Sequence, residues 1–186
     1  MKFQDDNVYI ESVLNGDVSA YASLVTKHKN LVFSIVIKIV NNREDAEEIS
    51  QDVFLKAYQS LKTFERKSKF STWLYRIAYN AAISKTRKKR FEMAPLEETV
   101  ITNYSTDEIG QHMNELELND RQVILEKALQ RLPEEDNLLI TLFYKNENSI
   151  EDISYITGLS VSNVKVRMHR IRNRLYNDMQ EIMNRN

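Results

Sequence analysis

The residues most able to do chemistry in this chain are its cations. Residues 85 to 90 read KTRKKR and carry five positive charges, and residues 161 to 176 carry Lys165, Arg167, Arg170, Arg172 and Arg174 with no acid among them. Between these blocks, residues 91 to 120 hold eight acids (Glu92, Glu97, Glu98, Asp107, Glu108, Glu115, Glu117 and Asp120) and no Lys or Arg. The totals, 26 Lys and Arg against 27 Asp and Glu for a formal charge of -1, conceal this patterning. Two basic blocks flanking an acidic bridge point to a polyanion as partner. Just before and into the first block, Thr63 to Arg90 interleaves cations with aromatics: Phe64, Arg66, Lys67, Lys69, Phe70, Trp73, Tyr75, Arg76 and Tyr79. Aromatic faces stack on unpaired bases while cations track the phosphates. The same rings also suit a core, Trp73 and Tyr79 as readily as they suit a binding surface.

Catalytic chemistry finds little to work with. There is no cysteine, hence no disulfide framework, thiolate metal site or thiol nucleophile. The acids Glu44, Asp45, Glu47 and Glu48 suggest a carboxylate-bridged metal centre, but such a site needs Glu-x-x-His pairs on facing helices. None of His28, His112 and His169 has a Glu three residues before it. These acids therefore read as a solvated or partner-facing helix surface, and no catalytic residue, cofactor or metal is expected. The longest strongly apolar run, Leu31 to Val40, is interrupted by Ser34 and Lys38 and is too short to span a membrane. Met1 to Ile10 carries acids where a secretory signal needs bases. The expectation is a soluble, cytoplasmic protein.

The elements that must position these residues are helices. With 186 residues, three glycines and two prolines, the chain has too few turn formers for a sandwich or barrel. Leu24, His28, Leu31, Ile35 and Ile39 recur at helical spacing, with Val25, Val32 and Val36 beside them, and Asn41-Asn42 ends the pattern. A second helix is predicted from about Glu44 to Leu61, facing inward with Ala46, Ile49, Val53, Ala57 and Leu61. Thr63 to Lys69 reads as a loop. Ser71 is the expected cap of a third helix holding Trp73, Leu74, Ile77, Ala78 and Ala81 and ending in the basic block. Residues 92 to 119, with Pro95 and weak periodicity, read as a flexible acidic linker. A second domain starts near residue 120, with a short helix around Val123 to Leu129. Pro133 suits the first position of the next helix, with Glu134, Glu135 and Asp136 favouring its positive end. The fold class is all-α: a helical domain over 1–91, the linker over 92–119, and a helix-turn-helix domain over 120–186.

The helix-turn-helix is read from Ser149 as cap, Ile150, Ile153 and Ile156 in the first helix, Gly158-Leu159-Ser160 as turn, and a long last helix. That helix carries an inward stripe of Val164, Met168, Ile171, Leu175, Met179 and Ile182. At about 100° per residue, Ser162, Val166, His169 and Asn173 face outward, with Lys165 and Arg172 on one flank and Asn163, Arg167, Arg170 and Arg174 on the other. A recognition helix reads base edges mainly with its N-terminal residues. Lys165 and Arg170 suit guanine edges or phosphates, and Val166 suits a thymine methyl. The later arginines suit phosphates, which give affinity without sequence information.

In this combination and order, the residues resemble the extracytoplasmic-function branch of the sigma-70 family, the promoter-specificity subunits of bacterial RNA polymerase. DAEEISQDVFLKAY (45–58) is similar to the helix that docks on the polymerase clamp, and FSTWLYRIAYNAAI (70–83) with its basic tail to the segment that melts and reads the −10 element. ALQRLP (128–133) is similar to the entry to the C-terminal domain, and SIEDISYITGLSVSNVKVRMHRIRNRL (149–175) to the −35-reading helix-turn-helix. Ser84, Asn137 and Val166 depart from the residues common at their positions in that family. The resemblance implies that Glu48, Gln51, Asp52 and Leu55 contact the clamp. It also implies that the loop Glu65 to Lys69, with Arg66, Lys67 and Lys69, joins Phe70, Trp73, Arg76 and Asn80 in holding flipped −10 bases. The basic tail, Lys85, Arg87, Lys88 and Arg90, is counted with that region. Ser162, Asn163, Lys165, Val166, Arg167, His169, Arg170 and Arg174 are the −35 candidates. The implied partners are core RNA polymerase, promoter DNA and an anti-sigma factor, with the linker threading toward the polymerase active-site channel. No long extension follows the last helix, so no appended regulatory domain is expected. A plain helix-turn-helix repressor or activator accounts for residues 120 to 186 alone, and would bind its operator without polymerase.

Overall fold

The computed structural model describes residues 5–90 and 118–184, with side chains at 5–86 and 122–184. The described residues form α-helices and short turns, without a strand. The helices are α1 (Asp6–Leu14), α2 (Tyr21–Val40), α3 (Arg43–Ser60), α4 (Phe70–Arg90), α5 (Leu118–Gln130), α6 (Glu134–Ile140), α7 (Ile150–Thr157) and α8 (Val161–Asn184). They fall into two compact units, one holding α1 to α4 with α7, the other α5, α6 and α8.

In the first unit α2, α3 and α4 pack against one another in pairs, and α1 lies on α2. The core is the inward stripe of each: Leu24, Val32, Ile35 and Val36 from α2, Ala46, Val53 and Ala57 from α3, Leu74, Ala78 and Ala82 from α4. Burying each of the larger side chains contributes about 1.5–3 kcal/mol, and the alanines let the helices approach. The two asparagines between α2 and α3 divide the work. Asn41 takes the left-handed conformation (φ 49°) that closes α2, and the Asn42 side chain accepts from the Asp45 N–H (2.9 Å) to cap α3. Glu44 and Asp45 then sit at the positive end of α3.

In the second unit Ile124 and Ala128 of α5 pack on Met179 and Ile182 of α8. Arg131 pairs with Glu181 at 3.1 Å. Helix α6 also packs on α8 and runs into a π-helical turn, Thr141–Lys145.

Several boundaries differ from the sequence reading. Helix α1 was not expected; it buries only Ile10, too little for a periodic signal. Helix α4 begins at Phe70, so Ser71 lies inside its first turn, and the Trp73 N–H bonds the Lys69 carbonyl (3.1 Å). Pro133 precedes α6 as its cap rather than opening it, its carbonyl accepting from the Asn137 N–H (2.9 Å). Helix α5 starts at Leu118, two residues before the expected domain start. The rest of the expected linker, 92–117, lies outside the described residues.

Candidate nucleic-acid interface

The aromatic-basic stretch is organised by a short turn. A 3₁₀ turn over Leu61–Thr63 closes with the Phe64 N–H on the Leu61 carbonyl (3.1 Å) and leaves residues 64 to 69 without regular structure. Phe64, Phe70 and Trp73 then form a ring cluster with centroids 5.1–5.8 Å apart. Phe70 is only 3% exposed and lies beneath this surface, its ring packed on His28. Phe64 and Trp73 are half-buried and keep part of a face at the surface. Tyr75 is buried, and that burial, reinforced by the Asp6 carboxylate, raises its hydroxyl pKa, so it belongs to the core. Arg66, Lys67, Lys69, Arg76 and Asn80 are exposed.

Lys85 is placed differently from the other basic candidates. Its ammonium pairs with Asp45 (3.2 Å) and Glu48 (3.4 Å) of α3, and these hydrogen-bonded carboxylates raise its pKa. The groove between α3 and α4 thus brings together Glu48, Asp52, Asn80 and Lys85, which the sequence had assigned to two separate sites. Arg87, Lys88 and Arg90 fall on the last turns of α4, and their side chains lie outside the described residues. Glu48, Gln51, Asp52 and Leu55 follow an i, i+3, i+4, i+7 spacing and form one exposed stripe on α3. Leu55, 55% exposed, closes this stripe one turn beyond Asp52.

On α8 the turn before the helix has the predicted chemistry. Gly158 has φ 76°, a conformation that only glycine adopts cheaply, and the Ser160 hydroxyl accepts from the Asn163 N–H (3.2 Å). Val164, Met168 and Ile171 are buried, while Ser162, Asn163, Lys165, Val166, His169, Arg170 and Arg174 are exposed. The cations then separate. Arg167 is clasped by Glu135 and Asp136 of α6, each at 3.0 Å. Burial works against its charge, and the two acids outweigh that and raise its pKa. Arg172 donates to the Tyr144 hydroxyl (3.1 Å) and lies over the Phe143 ring. Arg174 reaches the Arg131 carbonyl (3.4 Å) and Asp178 (3.9 Å). Among the described residues, Lys165 and Arg170 make no ion pair. They project from the first three turns of α8, where a groove-reading helix makes its base contacts.

No described helix is long and apolar enough to cross a membrane. The described residues contain no group of three or more His, Asp and Glu able to hold a metal ion.

Residues 24–92 match the family Sigma-70 region 2, and residues 122–175 match Sigma-70, region 4. The ECF RNA polymerase sigma factor SigW of Bacillus subtilis (strain 168) is 32% identical over 180 residues, spanning 93% of this chain and 96% of that one. The chain belongs to the ECF sigma factors. A second member, the ECF RNA polymerase sigma-E factor of Haemophilus influenzae, is 30% identical over 96% of this chain and 97% of its own. Among solved structures, the sigma factor RpoE from Bartonella quintana, in complex with the anti-sigma factor NepR, has a TM-score of 0.61 at 25% identity. It covers 86% of this chain and 96% of its own. The region 2 match takes in α2 to α4 with the aromatic cluster, and the region 4 match takes in α5 to α7 and the outward face of α8. Helix α1 precedes both.

Proposed function

We propose that this sigma factor binds core RNA polymerase through the α3 stripe Glu48, Gln51, Asp52 and Leu55. It then directs initiation by holding unpaired −10 bases against the loop 65–69 and α4, and by reading the −35 duplex with α8. The working domains are 1–91 and 120–186, joined by residues 92–119. Extruding bases from a duplex costs a few kcal/mol each, so the −10 surface must return stacking and phosphate contacts. Half-buried Phe64 and Trp73 beside exposed Arg66, Lys67 and Lys69 supply both. The chain acts as an initiation factor in the cytoplasm and supplies no catalytic group of its own. An anti-sigma factor controls it, a reading supported by the Bartonella relative having been solved with one.

The observation that carries this reading is the outward face of α8. Its unpaired Lys165 and Arg170 flank Val166, on a chain 32% identical to SigW over nearly its whole length. The test is run-off transcription by core polymerase on genomic promoter fragments, with and without the chain. A gain in promoter-dependent product is expected, and no gain overturns the proposal. A plain regulator is distinguished by the free chain. The sigma reading expects weak binding to duplex promoter without polymerase, and tight, salt-sensitive binding with it.

A further inference from the structure

Helix α1 precedes the region 2 match, which begins at residue 24, yet it pairs with the proposed reading loop and with the α2 residues that back the start of α4. Glu11 accepts a hydrogen bond from the Arg66 guanidinium (3.0 Å) across 55 positions of sequence. Asp6 accepts from Lys27 (2.7 Å) and meets His28 Nε2 (3.1 Å), and the His28 ring packs edge-on against Phe70, the residue that opens α4. Between the first turn of α1 and the loop lies a cavity of about 430 Å³, walled by Asp5, Asp6, Arg66, Ser68, Lys69 and Phe70.

The backbone at Arg66 gives Glu11 something to do. Arg66 has φ 57°, in the left-handed region that is uncommon for a long L side chain. Its immediate neighbours Glu65 and Lys67 are exposed, and Lys67 pairs locally with Glu65. Among the described residues, the side-chain contact that ties Arg66 itself to a packed helix is the one to Glu11.

We propose that Glu11 is a positioning residue for the −10-reading loop. It holds Arg66 in its left-handed turn and so sets the shape of the cavity that α1 and the loop enclose. This rests on the reading of that loop as a strand-binding element. Both partners are largely exposed, and an exposed pair shifts an equilibrium by no more than about five-fold. Removing Glu11 therefore loosens the loop and leaves the fold in place.

The test uses holoenzyme assembled from the full chain and core polymerase, on a fragment that supports run-off with the wild-type chain. Open-complex formation is compared for the cognate −10 sequence and its single-base variants, alongside core affinity by competition. Glu11→Ala should lower open-complex formation about three- to five-fold and narrow the discrimination among −10 variants, with core affinity unchanged. Glu11→Gln, which keeps the acceptor, should recover part of the loss. In an Arg66→Ala background, Glu11→Ala should have no further effect. Wild-type open-complex levels in Glu11→Ala, or an equal loss in the Arg66→Ala background, overturn the positioning role. A Glu11→Ala chain that fails to fold overturns it too, because the residue would then be structural. A wild-type chain giving no run-off product overturns the sigma-factor reading itself.

Discussion

The two proposed DNA-facing surfaces of this sigma factor are built on opposite plans. At the loop and α4, the rings that would bind belong to the cluster that holds the fold: Phe64 and Trp73 are half-buried, and both pack on buried Phe70. On α8, the two jobs fall on different stripes of one helix, with Val164, Met168 and Ile171 inward and Ser162, Val166 and His169 outward. The difference follows from what each surface meets. An unpaired base is held by a flat ring, and a ring gives rigid stacking only if its other side is backed by protein. A duplex is read by polar side chains reaching from a rod, and the rod can bury its far side independently. Substitutions should therefore entangle stability and binding at the first surface and separate them at the second.

The sharpest way to break this comparison is Phe70→Ala. Loss of a buried phenylalanine costs about 3–5 kcal/mol, and Phe70 supports both the His28 and Trp73 rings. A large fall in unfolding free energy in urea is expected, together with loss of −10 strand binding. Strand binding lost at full stability would place Phe70 on the surface and erase the contrast.

On α8 the expected effects are smaller and separable. Lys165→Ala and Arg170→Ala should each weaken binding by about 1–3 kcal/mol where the side chain reads a base, relaxing specificity at that position. Either should lower the salt slope by about one where it holds a phosphate. Unfolding free energy should change within about 0.5 kcal/mol, as for exposed positions generally. Arg167→Ala should show the reverse pattern. Its guanidinium is held by Glu135 and Asp136, so a loss of up to about 1 kcal/mol in stability is expected, with little change in the salt slope. Holoenzyme binding across a salt series, beside urea unfolding, separates the two patterns. An unchanged stability with a reduced salt slope for Arg167→Ala would return it to the phosphate contacts.

What the sequence made legible follows the same division. Periodicity placed α2, α3, α4 and α8, because each buries a long continuous stripe, and the same stripe orders the outward face of α8. It could not sort Arg167 from Arg170, since the partners of Arg167 lie 31 and 32 positions away and no local spacing encodes them. The Lys85 pairing with Asp45 and Glu48, and the Glu11 pairing with Arg66, were hidden for the same reason. Helix α1 escaped because Ile10 alone is buried; Asp5, whose carboxylate accepts from the Asn7 N–H (3.3 Å), was the available signal. Phe70 and Trp73 were ambiguous by nature, since a ring that packs and a ring that stacks have the same spacing.

The smallest expected effect concerns how the first surface is held to α1 and α2. Burial acts to raise the Asp6 carboxyl pKa, but hydrogen bonds and charge from His28 and Lys27 outweigh it and leave the carboxyl below its ordinary value of 3.8. A carboxylate whose folded pKa is depressed contributes stability that is fully present above its unfolded value, about 3.9. That contribution is lost as pH falls through the folded pKa, because the unfolded chain then binds the proton more readily. Asp6→Asn should therefore be less stable than the wild type at pH 6, with the gap closing as pH falls below about 4. Urea unfolding from pH 6 to pH 3 measures this. A gap that stays constant across the series would mean that Asp6 acts through shape rather than charge. Because His28 bonds the same carboxylate and packs on Phe70, the −10 strand binding of Asp6→Asn should fall with its stability. The α8 duplex contacts should not follow, since no residue of α8 takes part in this cluster.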